Sequence, residues 1–267
     1  YRTQKSIAVA GNRTNDADAV HLKFTHVIVG CCHDPNISSC YVSHPITDVD
    51  ESQSVTHAGP MSIATLAPSA PTAALTAAEV RLEFDGGRDF LSPCTAGLPP
   101  RATRAAVIAD VEDASRGRIN PPAASAAVED ARASFSRLVG TSSTRIAIGS
   151  QASVFAGLVA SALPDNAEVL CAAGDFSSVV LPFVHAGRGI RVRVAPLAEL
   201  ASAITDTTHL VVFSVVQSAT GEVADAPAIR AAAAKSGALT LCDATQAIGW
   251  LPVRADDYDV VICHAYK

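Results

Sequence analysis

The stretch ALTLCDATQAIGWLPVRADDYDVVICHAYK, from Ala238 to Lys267, decides the fold. It begins with a short apolar run that leads into Asp243, and a second apolar run from Tyr258 to Cys263 leads toward Lys267. Short apolar runs bounded by turn residues predict buried strands. In open α/β sheets, ligands bind at the carboxyl ends of parallel strands. We therefore expect the Asp243 carboxylate and the Lys267 amine to lie at the ligand-binding edge of a parallel sheet.

An acid and a lysine at two such strand ends suit the chemistry of pyridoxal 5'-phosphate (PLP). The lysine amine would form a Schiff base with the cofactor aldehyde, and the carboxylate would keep the pyridine nitrogen protonated. Both residues also have an ordinary interpretation, because an Asp at a strand end is often a helix N-cap and a terminal Lys is often only solvated. The spacing alone leaves both interpretations open.

Composition narrows the class of protein. The chain has 267 residues, enough for one large domain or two modest ones, and 49% of them are hydrophobic. Its net charge of −6 predicts no nucleic-acid partner. No apolar run approaches the roughly 18 residues of a membrane helix, and the first residues lack a signal-peptide core. The seven cysteines lack the spacing of a disulfide framework, so we expect a cytoplasmic protein without a membrane partner.

Residues 1–80 differ from the rest and are predicted to be a poorly ordered, irregular extension. The segment from Ser52 to Ala78 is rich in Ser, Thr, Pro and Ala, a composition typical of linkers. Before it lies a set of possible zinc ligands, namely Cys31, Cys32, His33, Cys40 and His44. Adjacent cysteines fit the spacing of structural zinc sites poorly, so we predict no metal site.

Residues 81–267 alternate between helical and strand-like patterns. Two helices come first, Ala102–Ser115 with Val107 and Val111 on its apolar face, and Ala123–Val139 with an apolar stripe that includes Val128 and Leu138. Strands are then predicted at 145–148, 168–172, 190–194, 209–216, 238–242 and 258–263, and helices at 151–163, 177–186, 197–204 and 226–236. This alternation predicts an α/β fold with a mostly parallel sheet sandwiched by helices.

Polar or aromatic residues follow the predicted strands in chain order. Ser150 and Gln151 lie in a glycine turn that opens a helix, where free backbone N–H groups suit a phosphate, although on these residues alone an ordinary Ser N-cap is the better explanation. Phe176 lies just past the next strand, where its ring either stacks on a heteroaromatic ligand or completes the core. The glycine patterns of dinucleotide-binding and Walker loops are absent.

The later strand ends carry further candidates. Ser218 follows the strand at 209–216, in a turn whose hydroxyl and amide groups suit a ring oxygen. Gln246 follows Asp243, and His264 precedes Lys267. A phosphate site, an aromatic ring, a polar contact, an acid and a lysine on successive strand ends are unlikely to coincide by chance.

In the order and spacing of these motifs, the chain resembles the class V aminotransferase family of fold-type I PLP enzymes. That family includes cysteine desulfurases, kynureninases and isopenicillin N epimerase-like proteins. The likeness covers roughly residues 82–267 and is carried by FLSPCTAGLPP at 90–100, GSQAS at 149–153, GDFSS at 174–178, SVVQSATGEV at 214–223, CDATQAIGWLPV at 242–253 and CHAYK at 263–267. It implies an aspartate aminotransferase-like large domain and PLP as the cofactor.

The resemblance also implies roles for individual residues. Lys267 corresponds to the Schiff-base lysine, which also moves the proton of the substrate Cα, and Asp243 to the partner of the pyridine nitrogen. Phe176 lies at the ring-stacking position. The remaining cofactor contacts implied are Ser150, Gln151, Ser218, Gln246, His264 and Tyr266.

Two departures from the family pattern concern the reaction. Desulfurases generally stack a histidine where this chain has Phe176, and they carry histidine where it has Tyr266. These differences favour the kynureninase-like or epimerase-like branches. The resemblance implies an amino acid substrate and a homodimer, with transferase, lyase and epimerase outcomes open. Because family members continue beyond this lysine, we expect the chain to be a fragment that lacks part of the large domain and the small domain.

Two alternatives remain at this point. One is a nucleotide-binding α/β domain in which the turn at 149–153 holds a phosphate and Asp243 contacts a ribose. The other is a catalytically incompetent remnant of a PLP enzyme.

Overall fold

The structure is a computed structural model of the chain, and it describes the backbone of residues 26–30 together with residues 76–267. The described residues belong to two compact units. One contains residues 26–30 and 120–267, and the other contains residues 76–119. The candidate zinc ligands lie outside the described residues. Among the described residues, no cluster of His, Cys, Asp and Glu side chains has the composition of a metal site.

The larger unit is an α/β sandwich. Its strands are β1 (His26–Gly30), β2 (Ile146–Gly149), β3 (Glu168–Ala172), β4 (Arg191–Ala195), β5 (Thr208–Ser214), β6 (Leu239–Asp243) and β7 (Val260–His264). The helices of the described chain are α1 (Ala77–Leu82), α2 (Arg101–Ser115), α3 (Pro121–Val139), α4 (Ala152–Ala162), α5 (Ser177–Val184), α6 (Leu200–Ala203) and α7 (Ala226–Ser236), of which α1 and α2 belong to the smaller unit.

The seven strands form one sheet in the order β2-β1-β7-β6-β5-β3-β4, and every neighbouring pair is parallel. The predicted α/β class is therefore confirmed. The register places Ser214 of β5 opposite Asp243 of β6, and Asp243 opposite Ile262 of β7. The ends of these three strands consequently meet at one edge of the sheet, which is where a parallel sheet binds ligands.

Side chains of the central strand β5 alternate between two apolar clusters. Val211 and Phe213 belong to the cluster on one face of the sheet, and Leu210 and Val212 belong to the cluster on the other. All four are fully buried. The sequence of a strand that is covered by helices on both faces is a continuous apolar run, and this pattern identified β5.

The predicted apolar stripe of α3 is wrong at three positions, Val128, Ala131 and Leu138, all of which are exposed. Val128 and Leu138 are 40% and 59% exposed, whereas Ser136 and Val139 are buried. The last turns of α3 pack against the start of β2, so the buried face is the one that this contact selects. Gly140 ends the helix as predicted, in the left-handed conformation that glycine adopts readily.

The smaller unit contains α1, α2 and the Gly- and Pro-rich segment between them. Thr76 and Glu79 form a capping box at the start of α1. Asp85 accepts hydrogen bonds from Arg101 and Arg104 of α2 at 2.6 and 2.7 Å. Val107 and Val111, predicted on the apolar face of α2, are 57% and 59% exposed.

The predicted boundary at residue 80 lies within α1 and remains a prediction. Most of residues 1–80 fall outside the described part of the chain, and β1 and α1 are described within that range. None of the described helices is both long enough and apolar enough to cross a membrane.

Candidate cofactor site

A cavity with an empty volume of about 350 Å³, part of it open to solvent, lies at the carboxyl ends of β5, β6 and β7. Seven of the nine predicted site residues line it: Phe176, Ser218, Asp243, Gln246, His264, Tyr266 and Lys267. The cavity therefore collects residues from four separate strand ends, because the turn that follows β3 also reaches it.

Asp243 is the last residue of β6 and is only 6% exposed. One of its carboxylate oxygens accepts the Thr245 N–H at 2.9 Å. Burial raises the pKa of Asp243 above its usual range, while hydrogen bonds from Thr245 and the positive charges of His264 and Lys267 lower it. A positively charged ligand group in the cavity would further favour the ionised carboxylate.

Lys267 follows β7 and shares the cavity with Asp243. Its amine lies 5.6 Å from the centre of the Phe176 ring and 5.5 Å from that of the Tyr266 ring. Both distances are typical of cation–π contacts. The amine and the Asp243 carboxylate thus line the same cavity, and two aromatic rings lie near the amine.

His264 has a buried ring nitrogen, Nδ1, without a hydrogen-bond partner among the described residues. Its ring packs edge-on against Tyr266, with the ring centres 5.2 Å apart, and its backbone N–H donates to the Thr245 hydroxyl. Burial lowers the pKa of His264, Asp243 raises it and Lys267 lowers it. A buried polar atom without a partner costs free energy, so Nδ1 is suited to a ligand.

Gln246 and Ser218 meet across two strand ends. The Gln246 side-chain amide donates to the Ser218 hydroxyl at 3.0 Å, and this bond joins the polar ends of the two side chains at the cavity wall. The backbone carbonyl of Gln246 accepts from the Trp250 indole at 2.6 Å.

Ser150 and Gln151 do not line this cavity. They lie between β2 and α4, and Gln151 is the N-cap residue of α4 without a side-chain capping bond. Gly149 packs closely here, because a Cβ at this position would lie 2.3 Å from the Phe155 ring. The predicted phosphate contact of the two residues stays a prediction.

Sequence reasoning missed four residues that line the cavity: Ser178, Ser214, Val216 and Thr245. The Asp-x-Thr spacing of Asp243 and Thr245 is a local signal that could have identified the last, since aspartate commonly accepts from the backbone two residues on. Ser214 carries no comparable local signal, because its place in the site depends on the pairing of β5 with β6.

A family model described as aminotransferase class-V matches residues 114–265, which is more than half of the chain. The chain belongs to the class-V aminotransferase family. Among curated proteins, a probable cysteine desulfurase from Aeropyrum pernix is 34% identical over 199 residues, which cover 66% of this chain and 48% of that protein. The chain spans about half the length of this relative.

Two solved structures have a similar fold. The cysteine desulfurase CsdA of Escherichia coli superposes with a TM-score of 0.56 at 17% identity, covering 70% of this chain and 53% of that one. A C-DES variant with glycine covalently linked to its PLP cofactor gives a TM-score of 0.61 at 18% identity, covering 70% and 55%. At these identities the likeness establishes the fold.

Proposed function

We propose that the chain carries the cofactor-binding part of a PLP-dependent enzyme that binds an amino acid substrate and labilises bonds at its α-carbon. The observation that carries the proposal is the meeting of Asp243 and Lys267 at one cavity, at the ends of neighbouring parallel strands. Membership of the class-V family supports it, because the cofactor of that family is PLP.

The residues of the cavity fit PLP in charge and in shape. Asp243 would hold the proton of the pyridine nitrogen, and the exposed face of Phe176 would lie against the ring. Gln246 and Ser218 would contact the ring oxygen. The unpartnered Nδ1 of His264, together with Tyr266, would face the phosphate.

When bound, PLP acts as an electron sink for negative charge that develops at the substrate Cα. Lys267 would hold the cofactor covalently through its amine and, once released, would take the proton from Cα. Asp243 keeps its position through Thr245, so the charge that it presents to the ring is fixed before any ligand arrives.

We propose that the enzyme acts as a homodimer, and substrate assays decide between the transferase, lyase and epimerase branches. Cysteine is the first substrate to test, because the relative from Aeropyrum pernix is a probable cysteine desulfurase. Burial raises the pKa of Cys171 and of Cys263 to about 12, so these thiols are poor sulfur acceptors. Desulfurases carry histidines at the positions of Phe176 and Tyr266, so this chain differs from them at both. The assay should therefore also include sulfur-free amino acids.

Borohydride trapping tests the proposal directly. The chain is incubated with PLP, reduced with borohydride and digested, and the labelled peptide is identified by mass spectrometry. We expect the label on Lys267 and its loss in Lys267→Arg. Lys235→Arg, a matched change in the last turn of α7, should keep the label. A label that persists in Lys267→Arg would overturn the assignment.

A further inference from the structure

A second aspartate, Asp175, lies beside the cavity without lining it. Both of its carboxylate oxygens accept the Ser214 N–H at 3.2 Å, and one accepts the Gln217 side-chain amide at 2.6 Å. Ser214 is the last residue of β5, and Gln217 is only 5% exposed. Asp175 therefore ties the turn that follows β3 to the end of the neighbouring strand β5.

This tie does not serve to cap α5. The N-cap residue of α5 is Phe176, and no side chain forms a capping hydrogen bond there. The turn reaches β5 because Gly174 adopts a φ of +83°, which glycine tolerates more readily than other residues. The Asp175 carboxylate thus makes no capping hydrogen bond to α5, and its hydrogen-bond donors belong to β5 and the segment after it.

The residue held by this tie is Phe176, the next in the chain. Its side chain lines the cavity and faces the Lys267 amine, yet the residue is 54% exposed. An aromatic ring with so much exposed surface is not held in place by core packing. Its position must come from the backbone that carries it.

We propose that Asp175 is a positioning residue of the candidate cofactor site: its carboxylate ties the turn at 174–176 to the end of β5 and so fixes the Phe176 ring beside Lys267. The inference rests on the proposed function in naming PLP as the ligand that meets this ring.

The charge of Asp175 bears on the strength of the tie. Burial raises the pKa of Asp175 to about 6, the hydrogen bonds from Ser214 and Gln217 lower it, and the charge of Asp243 raises it. The ionisable groups that face it are Asp243 and Cys242 on β6 and Cys171 on β3, and both thiols stay protonated at neutral pH. Since an ionised carboxylate accepts hydrogen bonds more strongly than a carboxylic acid, the tie is strongest above about pH 6.

The first experiment follows the backbone N–H signals of Ser214 and Phe176, and the side-chain amide of Gln217, by NMR in the cofactor-free chain between pH 4 and 8. We expect these signals to shift together with a midpoint near pH 6, and this shared transition to disappear in Asp175→Asn. Asp206→Asn, a matched change at an exposed position outside the cavity, should preserve it. A Phe176 signal that stays constant while Ser214 titrates would overturn the proposal.

The second experiment measures the dissociation constant of PLP. At pH 8, Asp175→Asn should weaken binding about tenfold, and the ratio to wild type should approach one at pH 5, where the wild-type carboxyl is protonated. In a Phe176→Ala background the same substitution should change the constant less than about twofold, because the two residues act as a unit.

A full tenfold effect in the Phe176→Ala background, or a ratio that does not change with pH, would show that Asp175 does not act through the ring. If the wild-type chain binds no PLP, the proposed function fails, but the titration in the cofactor-free chain still decides the role of Asp175.

Discussion

Burial of Asp243 and its proposed role favour opposite charge states of its carboxyl group. A carboxylate that is 6% exposed favours its neutral form, whereas a partner for a protonated ring nitrogen must be ionised. The Thr245 hydrogen bonds and the charges of His264 and Lys267 favour the ionised form. The site thus compensates for the cost of burial with groups that come from the neighbouring residues and from the next strand.

The unfolding free energy of Asp175→Asn should depend on pH. Because the folded pKa of Asp175 is raised to about 6 from 3.8, the folded state keeps a proton that the unfolded state releases between about pH 4 and pH 6. This group therefore lowers the stability of the wild type as the pH rises through that window. The variant has no such group. Its free energy of unfolding, relative to that of the wild type, should therefore rise by on the order of 2 kcal/mol between pH 4 and pH 7.

Urea unfolding at several pH values measures this difference. The lost hydrogen bonds lower the stability of the variant at every pH. The prediction is therefore tested by how the difference in unfolding free energy between variant and wild type changes with pH. A difference between variant and wild type that is constant from pH 4 to pH 7 would contradict the raised pKa.

At the scale of elements, the packing of β2 against α4 depends on a glycine. Gly149→Ala would place a Cβ 2.3 Å from the Phe155 ring, which is 5% exposed and has little room to move. We expect the substitution to lower the free energy of unfolding by about 1–3 kcal/mol, measured in urea.

Gly157→Ala, within α4, is the matched control. A Cβ at this position meets nothing within 4 Å, so the substitution should raise the free energy of unfolding by about 0.5–1 kcal/mol through helix propensity alone. Equal effects of the two substitutions would show that β2 and α4 do not pack as described.

Glu168 joins β3 to its two neighbours at the opposite edge of the sheet. It accepts hydrogen bonds from Arg193 of β4 at 3.0 Å and from the Thr208 hydroxyl of β5 at 3.1 Å. Although burial opposes the shift, these bonds lower the pKa of Glu168. The stabilisation is therefore present above the unfolded pKa and is lost as the pH falls through the folded pKa.

Glu168→Gln should cost about 1 kcal/mol at pH 7, and the cost should shrink as the pH falls below 4. Thermal unfolding measured at pH 7 and at pH 3.5 tests this, with the exposed Glu199→Gln as the control. A cost that grows in acid would contradict the pairing.

At the largest scale, the larger unit is a sheet held between two apolar clusters. Three of its phenylalanines distinguish residues that stabilise the fold from a residue proposed to bind the cofactor. Phe213 and Phe183 are fully buried on opposite faces, whereas Phe176 is 54% exposed at the cavity. Phe213→Ala and Phe183→Ala should each lower the free energy of unfolding by about 3–5 kcal/mol. Phe176→Ala should change it little and should instead weaken PLP binding.

Urea unfolding and a PLP titration, applied to all three variants, give the comparison. A large loss of stability in Phe176→Ala would place its ring in the core, and unchanged PLP binding in that variant would remove it from the site.

Six of the seven described strands were predicted because their signals are local, whereas β1 lies in the range predicted to be irregular. The prediction for β3 is correct at both ends, and those for β6 and β7 are offset by one or two residues. The strand predicted at 209–216 ends earlier, at Ser214, because Val216 turns back to pair with Val223 in an isolated antiparallel bridge. That bridge joins residues across a turn, which a pattern of apolar residues does not reveal.

The amino-acid sequence by itself determined the order of strands and helices from α2 onward and the position of Asp243 and Lys267 at strand ends, because the spacing of apolar residues acts over a few residues. The tertiary structure decided the strand order in the sheet, the buried face of α3, the tie between Asp175 and β5, and the separation of Ser150 and Gln151 from the cavity. Each of these depends on contacts between residues that are distant in the chain, which form only when the sheet assembles.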